Sequence, residues 1–315
     1  MRGRAPFVGL CLSLGCFSAV AGAQGPAARV EDQGPRSRPA PRELRIGTVG
    51  TSPGEGIERF LPIRNYLAAR LAPADVAAVR IVVAKDLCEM AAWMREGKAD
   101  LLFDSPFPSL LVRRLAGARF ILRRWKRGIA EYRPVLFARK DAGLRVPEDL
   151  RGRTIAFEEP FSSTGYFFPK ALLRERGLRP ILRKEGAPPL GPEEVGYLFS
   201  ASDENTVVWV LRGKVDAGAT DSESLPRRAK GEIGNLVVLC EGPAFPRQIV
   251  SARGDLPAGL LEEVRSTLLG MEESEPGRKA LDAFEKTARF DAIPEASLAS
   301  LQAFEAFLEE ELPPP

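Results

Sequence analysis

Apolar positions in this chain fall in short runs separated by stretches of helical spacing. Residues 44–49 (LRIGTV) and 79–84 (VRIVVA) are compact runs of strand length. Between them Ile57, Phe60, Leu61, Leu67 and Leu71 recur at helical spacing, and Pro62 is expected in the first turn or at the start of that helix. Asp86 is placed to cap a helix running through Met90, Trp93 and Met94 to Gly97. Residues 99–103 (ADLLF) form the next strand, Pro106 opens the next helix, and residues 118–124 (ARFILRR) return as a strand. The order β-α-β-α-β-α-β is that of a parallel sheet covered by helices.

The pattern then restarts. Residues 132–139 (YRPVLFAR) are extended, 147–152 make a short helical turn, and 153–157 (RTIAF) form a strand leading to a helix that ends at Gly177. A helix over 203–212 and strands over 214–219, 235–240 and 247–253 follow, and helical segments at 258–270, 276–287 and 295–312 come after them. Two α/β lobes are predicted, lobe 1 from 43–134 plus 241–315 and lobe 2 from 135–240. In open α/β sheets ligands bind beyond the carboxyl ends of strands, at helix N-termini. The loops at those positions hold Thr51 and Ser52, Ser105, Ser162 to Gly165, Asp203, and Asp221 with Ser222.

The first residues carry a different signal. Arg2 and Arg4 precede an apolar small-residue run, and Ala21-Gly22-Ala23 has the form of a cleavage site, so 1–23 reads as a signal peptide. Leu14-Gly15-Cys16 offers lipid attachment as the alternative, although Ser13 stands where such boxes carry leucine. Residues 24–42 are rich in proline and glycine and almost free of large apolar side chains, which predicts a disordered tether. The expected location is periplasmic, as a soluble protein or one tethered through Cys16.

Composition narrows the chemistry. With 44% hydrophobic residues in 315, the chain can build cores for two lobes. A balance of 45 basic against 42 acidic residues does not suggest a nucleic-acid binder. There is no histidine, which excludes a histidine-based triad and a histidine-ligated metal site; neither metal nor cofactor is expected. Gly50-Thr51-Ser52-Pro53-Gly54 fits the G-x-S-x-G form of a nucleophile elbow, but no histidine can serve as base and Pro53 has no N–H for an oxyanion hole. No enzyme is predicted. Cys88 and Cys240 lie in the body of the chain, and their pairing is open. Arg119, Arg123, Arg124, Lys126 and Arg127 cluster; a solvated strand edge and turn is the plain reading, a docking patch the alternative.

Five segments, GKADLLFDSP (97–106), DLRGRTIAF (149–157), SSTGYFFP (162–169), GKVDAGATDS (213–222) and RFDAIP (289–294), make the chain similar to a known family. It resembles the substrate-binding proteins of phosphate, phosphite and phosphonate ABC importers, over about residues 44–304. The resemblance implies the type II periplasmic-binding fold: two lobes, each a mainly parallel sheet flanked by helices, joined by two crossover strands. It implies a monomer that closes about a hinge on a small oxyanion and is then read by an ABC permease of the inner membrane. The family's hydroxyl-rich loop maps onto Ser162, Ser163 and Thr164 with the backbone of Gly165 and Tyr166. Ser109 stands where members often carry an aromatic residue, and Asp203 where they carry a histidine. Asp203 can then meet a ligand ammonium, as in an aminoalkyl phosphonate. A sensor that reports its ligand to a membrane receptor is the alternative function.

At residue level two readings stand side by side. Ser162 to Gly165 can be a plain helix cap or a seat for an anion made of hydroxyls and exposed amides. Asp203 can simply cap a helix after Ser202, and Asp221 with Ser222 can simply form a turn. Pro169 lies past the first helical position, so the carbonyl near Gly165 loses its helical partner and an irregular first turn is expected.

Overall fold

The computed structural model describes residues 42–50, 53–74, 76–184 and 186–311. The expected signal peptide and most of the expected tether, with Thr51 and Ser52, lie outside the described residues. Lobe 1 begins with β1 (Arg42–Val49), α1 (Pro53–Leu71), β2 (Val76–Ala84), α2 (Leu87–Arg95), β3 (Leu101–Asp104), α3 (Pro106–Ala116) and β4 (Arg119–Arg124). A short strand β5 (Glu131–Tyr132) crosses to lobe 2. There the chain forms β6 (Pro134–Arg139), β7 (Thr154–Phe157), α4 (Phe168–Glu175), β8 (Arg179–Leu182), β9 (Glu194–Phe199), α5 (Asp203–Leu211), β10 (Ala217–Asp221), α6 (Ser224–Ala229) and β11 (Leu236–Glu241). It returns through β12 (Phe245–Pro246), completes lobe 1 with β13 (Gln248–Ala252), α7 (Ala258–Leu269), α8 (Glu275–Ala283) and β14 (Phe290–Asp291), and ends in α9 (Glu295–Ala303), which packs on the crossover β12 and the core of lobe 2.

The first sheet has the order β14-β4-β13-β3-β1-β2, with β1 parallel to β2 and β3, and β13 inserted antiparallel between β3 and β4. The second has the order β11-β6-β10-β7-β9-β8, with β10, β7, β9 and β8 parallel. The crossover strands pair with each other, Phe245 against Tyr132. This is the two-lobed type II periplasmic-binding fold. Strands β8 and β9, short and set among prolines, glycines and charges, are not evident in the sequence pattern.

Helix α1 shows how packing overrides a local cost. It starts at Pro53, so Pro62 lies in its interior and not in its first turn. An interior proline costs about 3 kcal/mol. Here the carbonyl it leaves unpartnered belongs to exposed Glu58, which water can serve. Phe60, Ile63, Leu67 and Leu71 are buried on the opposite face, each worth about 1.5–3 kcal/mol, and their sum outweighs the proline. Ile57 and Leu61, which share the helical spacing, are exposed, so the buried stripe is narrower than the sequence suggests.

Three aromatic groups fix the cores. Phe60, Phe103 and Phe284 pack with their rings at 56° to 86° in lobe 1. Phe157, Tyr166 and Tyr197 pack at 49° to 76° in lobe 2. Phe168 stacks on Phe245 of the crossover at 3.7 Å. Cys88 and Cys240 are both free. Arg123 and Arg124 are 7% and 1% exposed, so the basic cluster is not a solvated strand edge at these positions. Arg123 is held by Asp291 and Glu131, and Arg124 by Glu285 and Thr287. No described helix is long and apolar enough to cross a membrane.

Candidate functional site

The carboxyl ends of the parallel strands in both sheets face one cavity of about 480 Å³. From lobe 1 it receives Thr48 at the end of β1, Asp104 and Ser105 at the end of β3, and Arg59 from α1. From lobe 2 it receives Ser162, Ser163 and Thr164 beyond β7, Asp203 at the start of α5, and Asp221 at the end of β10. Tyr132 and Arg247, on and beside the crossover strands, line the space between.

The segment after β7 has the irregular turn that Pro169 imposes. Residues Ser163–Phe167 form a π-helical turn, with Phe167 N–H donating to the Ser162 carbonyl at 3.0 Å. The Gly165 carbonyl, which Pro169 cannot serve, accepts from Glu158 N–H at 2.9 Å. Gly165 is required here because a Cβ would lie 2.6 Å from Glu158 Cβ and 2.7 Å from Ser162 Oγ. Its small size thus admits Glu158, not a ligand.

The three hydroxyls have different employments. Ser162 Oγ accepts from Gly165 N–H at 2.9 Å and donates to Glu158 Oε2 at 2.6 Å, so its proton is committed. Ser163 Oγ accepts from Phe107 N–H at 2.8 Å and donates to Ser105 Oγ at 2.9 Å. It therefore caps α3 from the opposite lobe, a task Ser105 does not perform as N-cap. Ser105 Oγ receives that proton and is itself hydrogen-bonded to the Asp104 carboxyl. Thr164, Thr48 and the Tyr132 phenol are further hydroxyls that line the cavity.

Ser202, not Asp203, is the N-cap of α5, since its extended backbone sets Oγ to accept from Asn205 N–H at 3.1 Å. Asp203 is thereby free to turn to Thr220, whose hydroxyl donates to Oδ1 at 2.9 Å. Asp221 Oδ1 accepts from the amides of Glu223 and Ser224, as a turn-former does, while the residue still lines the cavity. Burial, then the nearby Asp203 carboxylate, pushes the Glu158 carboxyl up to about 7. Burial likewise raises the Asp104 carboxyl above its ordinary range and pushes the Tyr132 hydroxyl up to about 12, so that the phenol stays protonated as a donor.

The cations were not singled out by sequence as site residues. Arg59 donates to Thr48 Oγ1 at 2.9 Å, Arg247 lies over the Tyr132 ring at 4.5 Å, and Lys126 pairs with Glu285 at 2.8 Å. Lys85 also lines the space. The available signal was position: Lys126 follows directly on the run of β4, and Arg247 sits where a strand resumes from the crossover. All the cations come from lobe 1 or the crossover. Lobe 2 contributes carboxylates, Glu158, Glu159, Asp203 and Asp221, and hydroxyls. The cavity is thus polarised from one wall to the other.

Other candidates lie elsewhere. Tyr166 points away from the cavity, its hydroxyl donating to Glu311 Oε2 at 2.8 Å and accepting from Lys170 at 2.9 Å. Both the Gly165 amide and carbonyl are used internally. Ser222 exchanges hydrogen bonds with Arg133 beside the crossover, its Oγ accepting from Arg133 N–H at 3.3 Å. Ser109 is fully buried in α3.

Two α/β lobes closing on a polar cavity, with helix starts and hydroxyls at its walls, make up the frame of a solute-binding protein. The chain belongs to the family of ABC transporter phosphonate periplasmic substrate-binding proteins, whose model matches residues 48–298. Among solved structures it is similar to a Xanthomonas citri protein bound to chloride, at 21% identity and TM-score 0.77, over 85% of this chain and 98% of that one. PhnD1 of Prochlorococcus marinus, solved with methylphosphonate, matches at 18% identity and TM-score 0.61, over 86% of this chain and 99% of that one. A binding component of a Pseudomonas aeruginosa phosphonate transporter matches at 16% and 0.57, over 85% and 87%. At these identities the likenesses establish the shared fold.

Proposed function

We propose that the protein is the exported solute-binding component of an ABC importer and takes a small phosphonate-class oxyanion in the cavity between its lobes. The observation that carries this reading is that hydroxyls and cations line one cavity: Ser105 and Thr164 from opposite lobes, with Arg59 and Arg247. An oxyanion bound there receives charge-assisted hydrogen bonds from groups on both lobes, so it favours the arrangement in which they approach. The carboxylates of lobe 2 suit a ligand whose other end carries an ammonium, such as an aminoalkyl phosphonate. Closure about β5 and β12 then creates the surface a permease reads. The leader at 1–23, with cleavage after Ala23 or lipidation at Cys16, supplies the route to the periplasm.

Titration calorimetry of the mature protein against phosphate, phosphite, methylphosphonate and 2-aminoethylphosphonate tests the reading. Saturable binding of at least one is expected, with loss of affinity in Thr164→Ala. Absence of binding by all four overturns it.

A further inference from the structure

Among the described residues, Glu285 is the one acidic side chain at the cavity that ties down two of its cations. Its carboxylate meets Lys126 Nζ at 2.8 Å and Arg124 Nη2 at 3.0 Å. The backbone that holds it is unusual: Glu285 and Lys286 have φ of 52° each, in the left-handed region that non-glycine residues seldom adopt. Arg124 enforces this bend. Its guanidinium lies 3.6 Å from the Phe284 ring centroid and donates to the Phe284 carbonyl at 2.9 Å and to Thr287 Oγ1 at 2.8 Å, so the loop wraps around it. Arg124 is thus spent on the loop. Lys126, which lines the cavity as Arg124 does, is not wrapped by the loop, and Glu285 is the carboxylate its ammonium pairs with. Burial alone would raise the Glu285 carboxyl, but Lys126 and Arg124 outweigh it and hold the carboxyl below its ordinary range, so Glu285 is ionised in neutral solution.

We propose that Glu285 is a built-in counter-anion, occupying the place at Lys126 that a ligand anion would take and so setting the cavity against doubly charged inorganic anions. This rests on the reading of the cavity as an anion site, and deepens it by naming the residue that limits its charge preference. A dianion such as inorganic phosphate must share the cavity with Glu285 and with the carboxylates of lobe 2. A ligand of lower net charge, or a zwitterion, meets less repulsion.

The test compares inorganic phosphate binding by the mature wild-type protein and by Glu285→Gln, using calorimetry at low and at moderate salt. Removing one nearby negative charge and freeing Lys126 is expected to tighten phosphate binding by on the order of tenfold at low salt, with a smaller gain at higher salt. Lys126→Met added to the variant is expected to abolish the gain. Glu285→Asn, whose side chain suits the left-handed backbone, is the second uncharged variant and is expected to show the same gain. If neither uncharged variant binds phosphate more tightly than wild type, or if the gain survives Lys126→Met, the proposal is overturned. A wild type that binds none of the four oxyanions overturns the proposed function instead, whatever the variants show.

Discussion

The Ser163 hydroxyl of lobe 2 accepts a hydrogen bond from the Phe107 amide of lobe 1 at 2.8 Å, so the first turn of α3 is capped from across the cleft. Beside it the Phe107 and Phe167 rings stack at 4.2 Å and 4°. An exposed helix amide is an anion site, and here a neutral hydroxyl fills it when the lobes meet. The cap holds the lobes together without using the charges that face a ligand.

Ser163→Ala leaves the Phe107 amide without its partner. Loss of a cap of this kind costs about 1 kcal/mol. The unliganded variant is expected to show a larger mean lobe separation by paired spin labels and a slightly lower denaturation midpoint. Unchanged label distances would argue that the cap does not hold the lobes.

Arg59 is exposed on α1 and bonds only lightly to the frame, through Thr48. Arg59→Gln is therefore expected to leave the thermal midpoint of the free protein nearly unchanged. Methylphosphonate affinity is expected to fall by about tenfold, the scale of one charge-assisted hydrogen bond. Calorimetry beside a melting curve separates the two effects.

Gly165→Ala brings a Cβ to within 2.6 Å of Glu158 Cβ. The turn must shift or Glu158 must leave, at a cost of about 1–3 kcal/mol. Urea denaturation is expected to show that loss. Ligand affinity is expected to fall as well, because the same turn carries Thr164 to the cavity.

The Glu158 carboxyl, pushed up to about 7 from an ordinary 4.5, binds its proton more tightly in the folded chain than in the unfolded one. Between those values the folded state carries the extra proton, so its contribution favours folding at low pH and declines as pH rises. It is spent by about pH 7 and flat above. Glu158→Gln is expected to remove this fall, of roughly 1–3 kcal/mol, and to make the protein more stable than wild type at pH 8. Denaturation midpoints at pH 5, 6, 7 and 8 for both proteins check the slope, and a parallel pH dependence would refute the assignment.

The strand-helix alternation of β1 through β4 was legible because each element carries its own buried run, and Asp86 and Pro106 mark helix starts chemically. Pro62 was misplaced because a proline's cost is local while the burial that offsets it is tertiary. Ser105, Ser162, Ser163, Thr164, Asp203 and Asp221 could be listed from their places after strands. How each hydroxyl is bonded could not, since Ser163 accepts from the Phe107 amide and donates to Ser105, both far away in sequence. Arg59 and Lys126 were not marked as site residues because a charge on a helix or after a strand looks solvated in sequence, whether it stays exposed, as Arg59 does, or is covered by an ion pair, as Lys126 is.

The insertion of β13 between β3 and β4 has a consequence for the order of assembly. Lobe 2 is built from one unbroken stretch of chain, β6 to β11, and has all its sheet partners once that stretch is available. The strands β3 and β4 follow closely in sequence yet cannot touch until Gln248–Ala252 arrives to lie between them. During synthesis the earlier half of lobe 1 must wait with open strand edges while lobe 2 has everything it needs to form. With this connectivity lobe 2 can be complete before lobe 1, although lobe 1 is begun first, and the cavity needs both.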